Sequence, residues 1–485
     1  MDAGGGRSAV IASAVIGSAR GREASQAAVD AWLRHVPRSV DAETIRRAWR
    51  ALSRPYDVNS WRLPLPVWAQ RPLEESGREA WQTLGADLSR AASAPGICIY
   101  IHVPFCTSKC GFCDSYSFRL GSHREERVAE YVGLLCEELR QWAELGRLRD
   151  RPVSTVHLGG GTPTCLGEEG LARLVACCRA GFNTSVETEW ALEATVESLT
   201  PGMIDALHDL GFRRLHVGVQ SLEDPARVAI GRRRPSAEAV EKVAATKARG
   251  WVVSVDLLCG LPNQTLTGFI GGIETLIDAG VDGFSLYELL IYPQNRRWAQ
   301  EHDLTERDHL PNFLMFLAGA NVLESHGYGR NLFNHWAGPR DRNVYFTFPT
   351  RGEDCLAIGP IADGVFGDYH YRHLRYAPYL EAARSGQPGL EGGLRRTAVE
   401  TRMQPLVTEL LSGRLASEEW PDLRDPEGDR LLDRWQANAL VETDAAGDHR
   451  LTASGAWFAG NLVAELTGRG PRQAYRSLPA PPIPG

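Results

Sequence analysis

The sequence predicts an α/β fold, a partial (β/α)6 barrel of parallel strands with helices between them. Two observations carry this prediction: short apolar runs recur between residues 97 and 290, and stretches of helical periodicity separate them. Repeated strand–helix units favour parallel strands joined by right-handed crossovers. The predicted strands are 97–103, 153–158, 190–194, 214–219, 253–258 and 283–289, and the clearest helices are 125–145 and 236–249.

The segments that flank the barrel differ from it in composition. The region before the barrel is rich in Ala and Arg, has helical patches at 24–35 and 41–52, and shows no evident chemistry. The region after it is rich in aromatic residues and histidine, which suits a cover over a flat substrate. The predicted domains are an N-terminal extension at 1–95, the barrel at 96–325, a connecting and substrate-covering segment at 326–394, a C-terminal domain of helices and a hairpin at 395–470, and a Pro-rich disordered tail at 471–485.

Overall composition argues against several classes of protein. The 485 residues carry a net charge of −7, which gives no general basis for binding nucleic acid. No apolar run reaches the ~18 residues of a membrane-spanning helix. The 10 cysteines are too few for a disulfide-rich scaffold, and most lie in apolar segments where small buried side chains are expected.

Cys106, Cys110 and Cys113 form a C-x3-C-x2-C motif directly after the first predicted strand. Three thiolates at this spacing fit a loop around one corner of a [4Fe–4S] cluster, which usually takes four cysteines. The missing fourth ligand leaves one iron open to a substrate or cofactor. A zinc site is the alternative, but structural zinc needs four ligands and histidine is scarce nearby. Three neighbouring thiols also cannot all form disulfides with one another.

The motif, with an aromatic residue before its last cysteine, resembles that of the radical S-adenosylmethionine (SAM) superfamily. The segment Tyr100-Ile101-His102-Val103-Pro104-Phe105-Cys106 is similar, more narrowly, to the oxygen-independent coproporphyrinogen III oxidase-like branch. The resemblance implies a [4Fe–4S] cluster on the three cysteines, whose open iron binds SAM and whose electron converts SAM into a 5′-deoxyadenosyl radical. It also implies an electron donor such as flavodoxin or ferredoxin, and an oxygen-labile cluster suits a reducing cytoplasm.

Residues at the ends of the following strands match the SAM-binding positions of that superfamily. Chemistry in barrels of this kind lies at the carboxyl ends of the strands, where these residues fall. A glycine run alone is more often a tight turn, and a lone glutamate is usually solvated, so the position in the barrel decides the interpretation. The predicted contacts to the first SAM are Tyr100, Phe112, Gly160, Gly161, Thr162, Glu193, Gln220, Arg232 and Asp256.

The resembled branch binds a second SAM beside the first, and by residue matching its contacts here include Leu258 and Leu290. Tyr287 and Glu288, at the end of the sixth strand, are candidate catalytic residues that would face the substrate as acid or base. Because neighbouring residues of a strand point to opposite faces, only one of the two can face the barrel interior. An ordinary packing role is the alternative for both.

Residues 395–470 resemble the winged-helix-like C-terminal domain of the same branch. Asp and Glu are plentiful there and no basic stripe appears, which argues against a DNA-binding role. We therefore expect this domain to cover the active site, with neither nucleic acid nor a membrane as a partner.

The resemblance leaves several reactions open. The first is decarboxylation of coproporphyrinogen III, but true oxidases of this type have a further cysteine where this chain has Ser115. The second is modification of haem by an anaerobic relative. The third, which we favour, is C-methylation or cyclopropanation by a class C radical SAM enzyme of natural-product biosynthesis, because the segments at 342–343 and 354–357 look closer to the last two classes. A non-enzymatic haem chaperone is a further interpretation, and the complete set of SAM positions weighs against it.

The favoured mechanism uses two SAM molecules held side by side. The radical from the first SAM would take a hydrogen from the methyl group of the second. The resulting methylene radical would add to an sp2 carbon of an aromatic or unsaturated small molecule. The predicted partners are that substrate, the electron donor and a methyltransferase-type protein.

Overall fold

Parallel strands form the centre of the molecule, which we describe from a computed structural model. The described residues are 19–60, 62, 64, 68, 71–90, 96–113, 115–121, 124–304, 309–351, 353–415, 425–445 and 447–468. Six strands that each pair in parallel with the next are β1 Ile97–Val103, β2 Val153–Gly160, β3 Glu189–Thr195, β4 Arg214–Gln220, β5 Val252–Cys259 and β6 Gly283–Glu288. Every predicted strand is confirmed, with ends that differ by at most two residues.

Helices cover the outer face of these strands, as the alternating pattern predicts. Thr200 and Thr265 cap two of them by accepting hydrogen bonds from the backbone of the first turn. The predicted helices at 125–145 and 236–249 are confirmed within two residues. The main helices are Arg124–Ala143, Gly167–Gly181, Pro201–Asp209, Ser236–Ala248, Leu266–Asp278 and Leu310–Ser325, and shorter ones are Asp224–Ala229, Arg296–Glu301, Val344–Thr350 and Tyr376–Arg384.

The segment after the barrel extends the sheet on both sides. Its strands are β7 Gly329–Leu332, β8 His335–Ala337, β9 Cys355–Ile358, β10 Asp363–Phe366, β11 Tyr369–His373 and β12 Leu390–Arg395. β9 pairs in parallel with β1, on the side opposite β2, and β10, β11 and β12 follow in antiparallel order. β8 and β7 continue the sheet beyond β6. The segment predicted as a cover therefore contributes six strands to the sheet of the barrel.

A buried polar cluster closes the amino-terminal end of the barrel. Asp341 lies at its centre, 2.6 Å from Arg214 Nη1 and 2.8 Å from His335 Nε2, and it accepts a hydrogen bond from Ser254 Oγ at 2.7 Å. Burial alone would raise the pKa of Asp341, but His335 and Arg214 hold that pKa well below its ordinary value. The carboxylate therefore stays ionised, and it ties β4, β5 and β8 together.

The described parts of the N-terminal region pack against β12, helix Leu310–Ser325 and the C-terminal domain. Helices Ala19–Leu33 and Ala42–Ala51 confirm the predicted helical patches. The short strand Glu75–Ser76 pairs with β12, and the helix Gly77–Arg90 follows it. Tyr56 OH donates to Glu465 at 3.0 Å, which joins the region to the C-terminal domain.

The C-terminal domain combines helices with a small antiparallel sheet. The hairpin predicted from the sequence is present, because strand Val441–Thr443 pairs with His449–Leu451. Its helices are Ala398–Ser412, Pro426–Ala437, Ala453–Trp457 and Ala459–Thr467, and its third strand is Arg414–Leu415. The predicted disordered tail at 471–485 lies outside the described residues. Among the helices that the structure describes, none has the length and apolar character needed to cross a membrane.

Candidate active site

A cavity of about 740 Å³ opens at the carboxyl ends of the barrel strands. All sixteen candidate residues from the sequence line it, from Tyr100 on β1 to Leu290 after β6. Parallel strands end at one edge of a sheet, which is why residues nearly 200 positions apart meet here. None of the described residues before Tyr100 lines this cavity, so the described N-terminal region does not cover it.

The cysteine loop is fixed to the end of β1 by backbone contacts. Phe105–Cys106 forms a short parallel pair with Phe118–Arg119. Lys109 Nζ donates to the carbonyl oxygens of Ser115 at 3.1 Å and Ser117 at 2.7 Å, inside the loop. Cys106 is buried, while Cys110 and Cys113 are half-buried, and all three line the cavity wall.

The donor set fits an iron–sulfur cluster better than a single metal ion. Within the described part of the chain, no three His, Cys, Asp or Glu side chains lie close enough together to chelate one ion. The thiolates of a cubic cluster each bind a different iron, so they do not need to converge. Burial raises the pKa of Cys110, and a bound metal would hold such a thiol as the thiolate. Thr162 Oγ1 lies 3.6 Å from Cys106 Sγ and donates toward it.

The glycine run after β2 is bonded directly to the cysteine loop. Gly161 N donates to Val103 O and Thr162 N to Phe105 O, both at 2.7 Å. A Cβ on Gly161 would come within 2.5 Å of Phe105 O, and Gly160 has a φ of +106°, so both positions require glycine. The run brings backbone close to the cavity without a side chain in the way.

Glu193, on β3, is held in place beside this run. Its carboxylate lies 3.2 Å from His157 Nε2 and accepts a hydrogen bond from Gly160 N at 3.1 Å. Burial alone would raise the pKa of Glu193, but His157 and the Gly160 amide keep that pKa below its ordinary value. The cavity therefore presents an ionised carboxylate, a suitable partner for a cationic group of a ligand.

Arg232 and Gln220 lie on the neighbouring side of the cavity. Arg232 Nη1 donates to Glu197 Oε2 at 2.6 Å, while its buried Nε has no hydrogen-bond partner among the described residues. An unpaired buried donor on a cavity wall suits an anionic ligand group such as a carboxylate. Gln220 has a φ of +70° at a register shift between β4 and β5, and strain of this kind often marks a functional site.

His216 is a residue of the site that the sequence interpretation missed. It lies on β4, lines the cavity, and places Nε2 at 2.6 Å from Asp256 Oδ1 on β5. Burial favours the neutral imidazole, but the Asp256 carboxylate outweighs burial and raises the pKa of His216. The signal was present in the sequence, since the polar residues Arg214 and His216 alternate with apolar residues along β4.

This ion pair predicts a specific pH dependence of stability. A raised pKa means that the His216–Asp256 pair contributes fully below about pH 6.5, the ordinary histidine value, and less as pH rises through the folded-state pKa. The free energy of unfolding of the wild type should therefore fall, relative to that of His216→Gln, between pH 6 and 9. Urea unfolding of both proteins at several pH values measures the difference. A difference that stays constant across this range would contradict the prediction.

The structure separates the two candidate catalytic residues. Tyr287 pairs with Leu258 across β5 and β6 and faces the cavity on the same side as Asp256. Glu288 borders the cavity, but its side chain is 1% exposed, 2.5 Å from His309 Nδ1 and 2.9 Å from Asn312 Nδ2. As the strand alternation required, only one of the two is available to a substrate, and it is Tyr287.

Aromatic side chains form one wall of the cavity. Tyr100 stacks on Tyr345 with ring centroids 4.8 Å apart, and Tyr345 stacks on His157 at 4.1 Å. Phe346, the next residue of helix Val344–Thr350, lies 5.1 Å from the His216 ring. The sequence pointed to this region as aromatic and histidine-rich, and of its many rings Tyr345 and Phe346 are the ones that reach the cavity.

An apolar wall lies across from these rings. Leu258 and Leu289 form a cluster against which Phe112 packs. Asn295 Nδ2 donates to Phe112 O and to Leu290 O, both at 2.8 Å, and so joins the cysteine loop to the end of β6. Leu258, Leu290 and Phe112 therefore form one continuous surface beside the cysteines.

Comparison with known proteins finds similarity over the barrel. Residues 100–295 match the radical SAM superfamily. The solved structure of coproporphyrinogen III oxidase (HemN) from Escherichia coli, a radical SAM enzyme, superposes with a TM-score of 0.70 at 21% identity, over 81% of this chain and 95% of that chain. The predicted radical SAM fold is confirmed by this likeness.

Curated relatives extend the comparison beyond the barrel. Anaerobilin synthase of Escherichia coli O157:H7 is 28% identical over 408 residues, which cover 81% of this chain and 88% of that protein. Heme chaperone HemW of Bacillus subtilis is 31% identical over 40% of this chain, and the match spans 51% of the chaperone. Oxygen-independent coproporphyrinogen III oxidase of Bradyrhizobium diazoefficiens is 28% identical over 57% of this chain and 64% of that protein.

These relatives correct the favoured reaction. Their names refer to a bilin, to heme and to coproporphyrinogen, and not to C-methylation, cyclopropanation or a natural product. The prediction of a C-methyltransferase or cyclopropanase of natural-product biosynthesis is therefore wrong. Its error lay in resting the choice on short segments near residues 342 and 354, while the match to anaerobilin synthase covers 81% of the chain.

Proposed function

We propose that this chain is a radical SAM enzyme of the coproporphyrinogen III oxidase-like branch and that it modifies a tetrapyrrole. The observation that carries the proposal is the extent of the match to anaerobilin synthase, which takes in 88% of that protein. A match of this length includes the segments after the barrel that line the cavity, and not only the cysteine loop.

The cavity supports a flat, conjugated substrate. Its volume of about 740 Å³ lies within the usual range of small-molecule pockets, roughly 300–1,000 Å³. Tyr345 and Phe346 bring aromatic side chains to the cavity wall, and an aromatic wall favours planar molecules. Leu258 and Leu290 also line the cavity and give it apolar surface.

The residues present fit a bound cluster and SAM. Together these cofactors supply one-electron radical chemistry that can remove a hydrogen from an unreactive carbon. Cys106, Cys110 and Cys113 would hold the cluster, and the free Arg232 Nε would receive the SAM carboxylate. Asp256 would orient the ribose, with His216 fixing its carboxylate. We propose a second SAM against Leu258 and Leu290, and flavodoxin or ferredoxin as the electron donor.

Tyr287 would be the group of this chain that faces the tetrapyrrole. It is 36% exposed, in contrast to the enclosed carboxylate of Glu288. Its hydroxyl can donate or accept a hydrogen bond, and so it can orient a substrate or move a proton. Glu288 supports the site indirectly, by holding the start of helix Leu310–Ser325 against β6 through Asn312.

Decarboxylation of coproporphyrinogen III is the second candidate, because an oxidase is among the relatives. Two observations make it less favoured. The match to that oxidase is shorter, and Ser115 stands where true oxidases have a further cysteine. Ser115 Oγ donates to Gly160 O at 3.1 Å, so the residue supports the glycine run, and a thiol is a weaker donor for that contact.

Anaerobic turnover tests the proposal. The reconstituted protein would be incubated with SAM, a reductant and either haem or coproporphyrinogen III, and 5′-deoxyadenosine and the tetrapyrroles would be measured by mass spectrometry. We expect 5′-deoxyadenosine to increase with haem, together with loss of haem and a tetrapyrrole product of altered mass. Glu193→Gln is the matched control, since it should keep the iron and lower 5′-deoxyadenosine formation by about tenfold or more.

Other outcomes distinguish the alternatives. Release of carbon dioxide from coproporphyrinogen III would favour the decarboxylase. Tight binding of haem without any chemical change or 5′-deoxyadenosine would contradict an enzymatic function and favour a chaperone.

A further inference from the structure

A second cavity, of about 700 Å³, lies at the other end of the barrel. It is bordered by Ser154 at the start of β2, by helix Val344–Thr350, and by Ser412 and Gly413 at the end of a helix of the C-terminal domain. Helix Val344–Thr350 separates it from the first cavity, because Tyr345 and Phe346 face the first and Val344, Thr347 and Phe348 face the second. No function of the molecule considered so far uses this space.

The charged side chains that line this second cavity are all positive. Five arginines line it, and no Asp or Glu is among its described lining residues, in a chain whose net charge is −7. Like charges brought together in a partly enclosed space repel one another unless an anion accompanies them. The arginines are Arg330, Arg342, Arg351, Arg414 and Arg450.

Four of these arginines have carboxylate partners, and that of Arg330 is the most distant, since its Nη1 lies 3.8 Å from Glu324. Arg450 Nε lies 2.9 Å from Asp444 and Arg351 Nη2 lies 3.2 Å from Glu353. Arg414 pairs with Asp448. Arg342 forms no ion pair with any carboxylate of the described residues, although it is close enough to Glu189 for a longer-range electrostatic interaction. The positive charge that remains is therefore centred on Arg342, and Arg330 adds a smaller share because its partner Glu324 is distant and exposed.

Arg330 is a buried side chain of this cavity that hydrogen bonds hold in place. Its side chain is 8% exposed, and its two terminal nitrogens donate to the carbonyl oxygens of Thr452 and Leu451. Its Nε is buried with no hydrogen-bond partner among the described residues. A buried guanidinium nitrogen without an acceptor is costly, and a ligand oxygen would satisfy it. The Asn331 Oδ1 atom beside it is also buried without a partner in the described structure.

We propose that this second cavity binds an organic anion with at least two carboxylate or phosphate groups, held by Arg342 and Arg330. Guanidinium groups match the geometry of both acids, so the shared chemistry is an oxyanion. Phe348, Val344 and Leu332 give the cavity an apolar side, which suits a ligand with a carbon framework rather than a bare inorganic ion. The inference does not depend on the reaction proposed for the first cavity.

Calorimetric titration of the full chain, without SAM, tests this site. The probes are citrate, ATP and coproporphyrin III, which represent a compact polycarboxylate, a phosphate ligand and a tetrapyrrole carboxylate. We expect at least one of them to bind at one site per chain, with an affinity that falls as salt is added. Arg342→Ala should weaken binding by about tenfold, the usual effect of losing a charged hydrogen bond. Arg342→Glu should abolish it.

Arg140→Ala is the matched control, because Arg140 is an exposed arginine of helix Arg124–Ala143 whose partners are Glu137 and Glu144. It should leave the affinity unchanged. Circular dichroism establishes that the Arg342 variants are folded, and this side chain is exposed enough to be replaced without loss of packing. Equal affinity of Arg342→Glu and the wild type would overturn the proposal, as would the failure of all three probes to give saturable binding. The probe that binds best identifies the acid and the framework that the cavity prefers.

Discussion

Replacement of Cys106, Cys110 or Cys113 by alanine should abolish formation of 5′-deoxyadenosine, a loss of at least about a thousandfold. A cluster with three protein ligands has no spare thiolate, and the described residues around it offer no substitute, since no other cysteine lines the cavity. Iron content and the visible absorbance of the reconstituted protein should fall with activity. Anaerobic reconstitution followed by iron analysis and mass spectrometry measures both quantities.

The control is Cys178→Ala, which removes a buried free thiol from helix Gly167–Gly181. Its iron content and activity should match the wild type, apart from the stability cost of a small buried cavity. Full turnover by any one of the three loop variants would contradict the assignment of these cysteines as cluster ligands.

Asp341→Leu should lower the free energy of unfolding by about 3–5 kcal/mol, the usual cost of leaving one charge of a buried ion pair without its partner. Arg214 is 3% exposed and depends on Asp341 for its only carboxylate partner among the described residues. The same change also removes the acceptor of Ser254 Oγ. Urea unfolding monitored by circular dichroism measures the loss.

Two further variants separate the buried charge from other effects. The double variant Arg214→Met with Asp341→Leu removes both charges and should recover much of the lost stability. Glu144→Ala breaks an exposed ion pair with Arg140 and should change the free energy of unfolding by less than about 1 kcal/mol. A double variant as unstable as Asp341→Leu alone would show that the cluster acts through packing and not through charge.

The barrel could be predicted because its strands carry strong local signals. Each of β1–β6 is a short segment rich in apolar residues that a helical stretch separates from the next, so a local pattern is enough to place it. β9 is different. It has only four residues, and its place beside β1 is set by pairing with a strand more than 250 residues earlier, which no local pattern reveals. That is why the segment after the barrel was interpreted as a cover.

In the site too, local motifs could be predicted from the sequence, whereas contacts between distant residues could not. The cysteine motif and the strand-end residues were identifiable from spacing and resemblance. Strand alternation predicted that Tyr287 and Glu288 face opposite ways, but only the register of β6 against β5 decides that Tyr287 shares a face with Leu258. His216 was overlooked because a single histidine in an apolar strand is unremarkable until Asp256 is placed 2.6 Å away.

The pairing of β9 with β1 also has a consequence for biosynthesis of the chain. β1 is made early, but the neighbour on one of its edges emerges only with Cys355, after most of the protein has been translated. Until then β1 exposes unpaired backbone groups, and such an edge can pair with the wrong strand or with another chain. Closing a loop of this length also costs more conformational entropy than the local strand–helix units do. The strand that leads into the cysteine loop is thus among the last to be enclosed, and slow synthesis or a chaperone that covers this edge would improve the yield of folded protein.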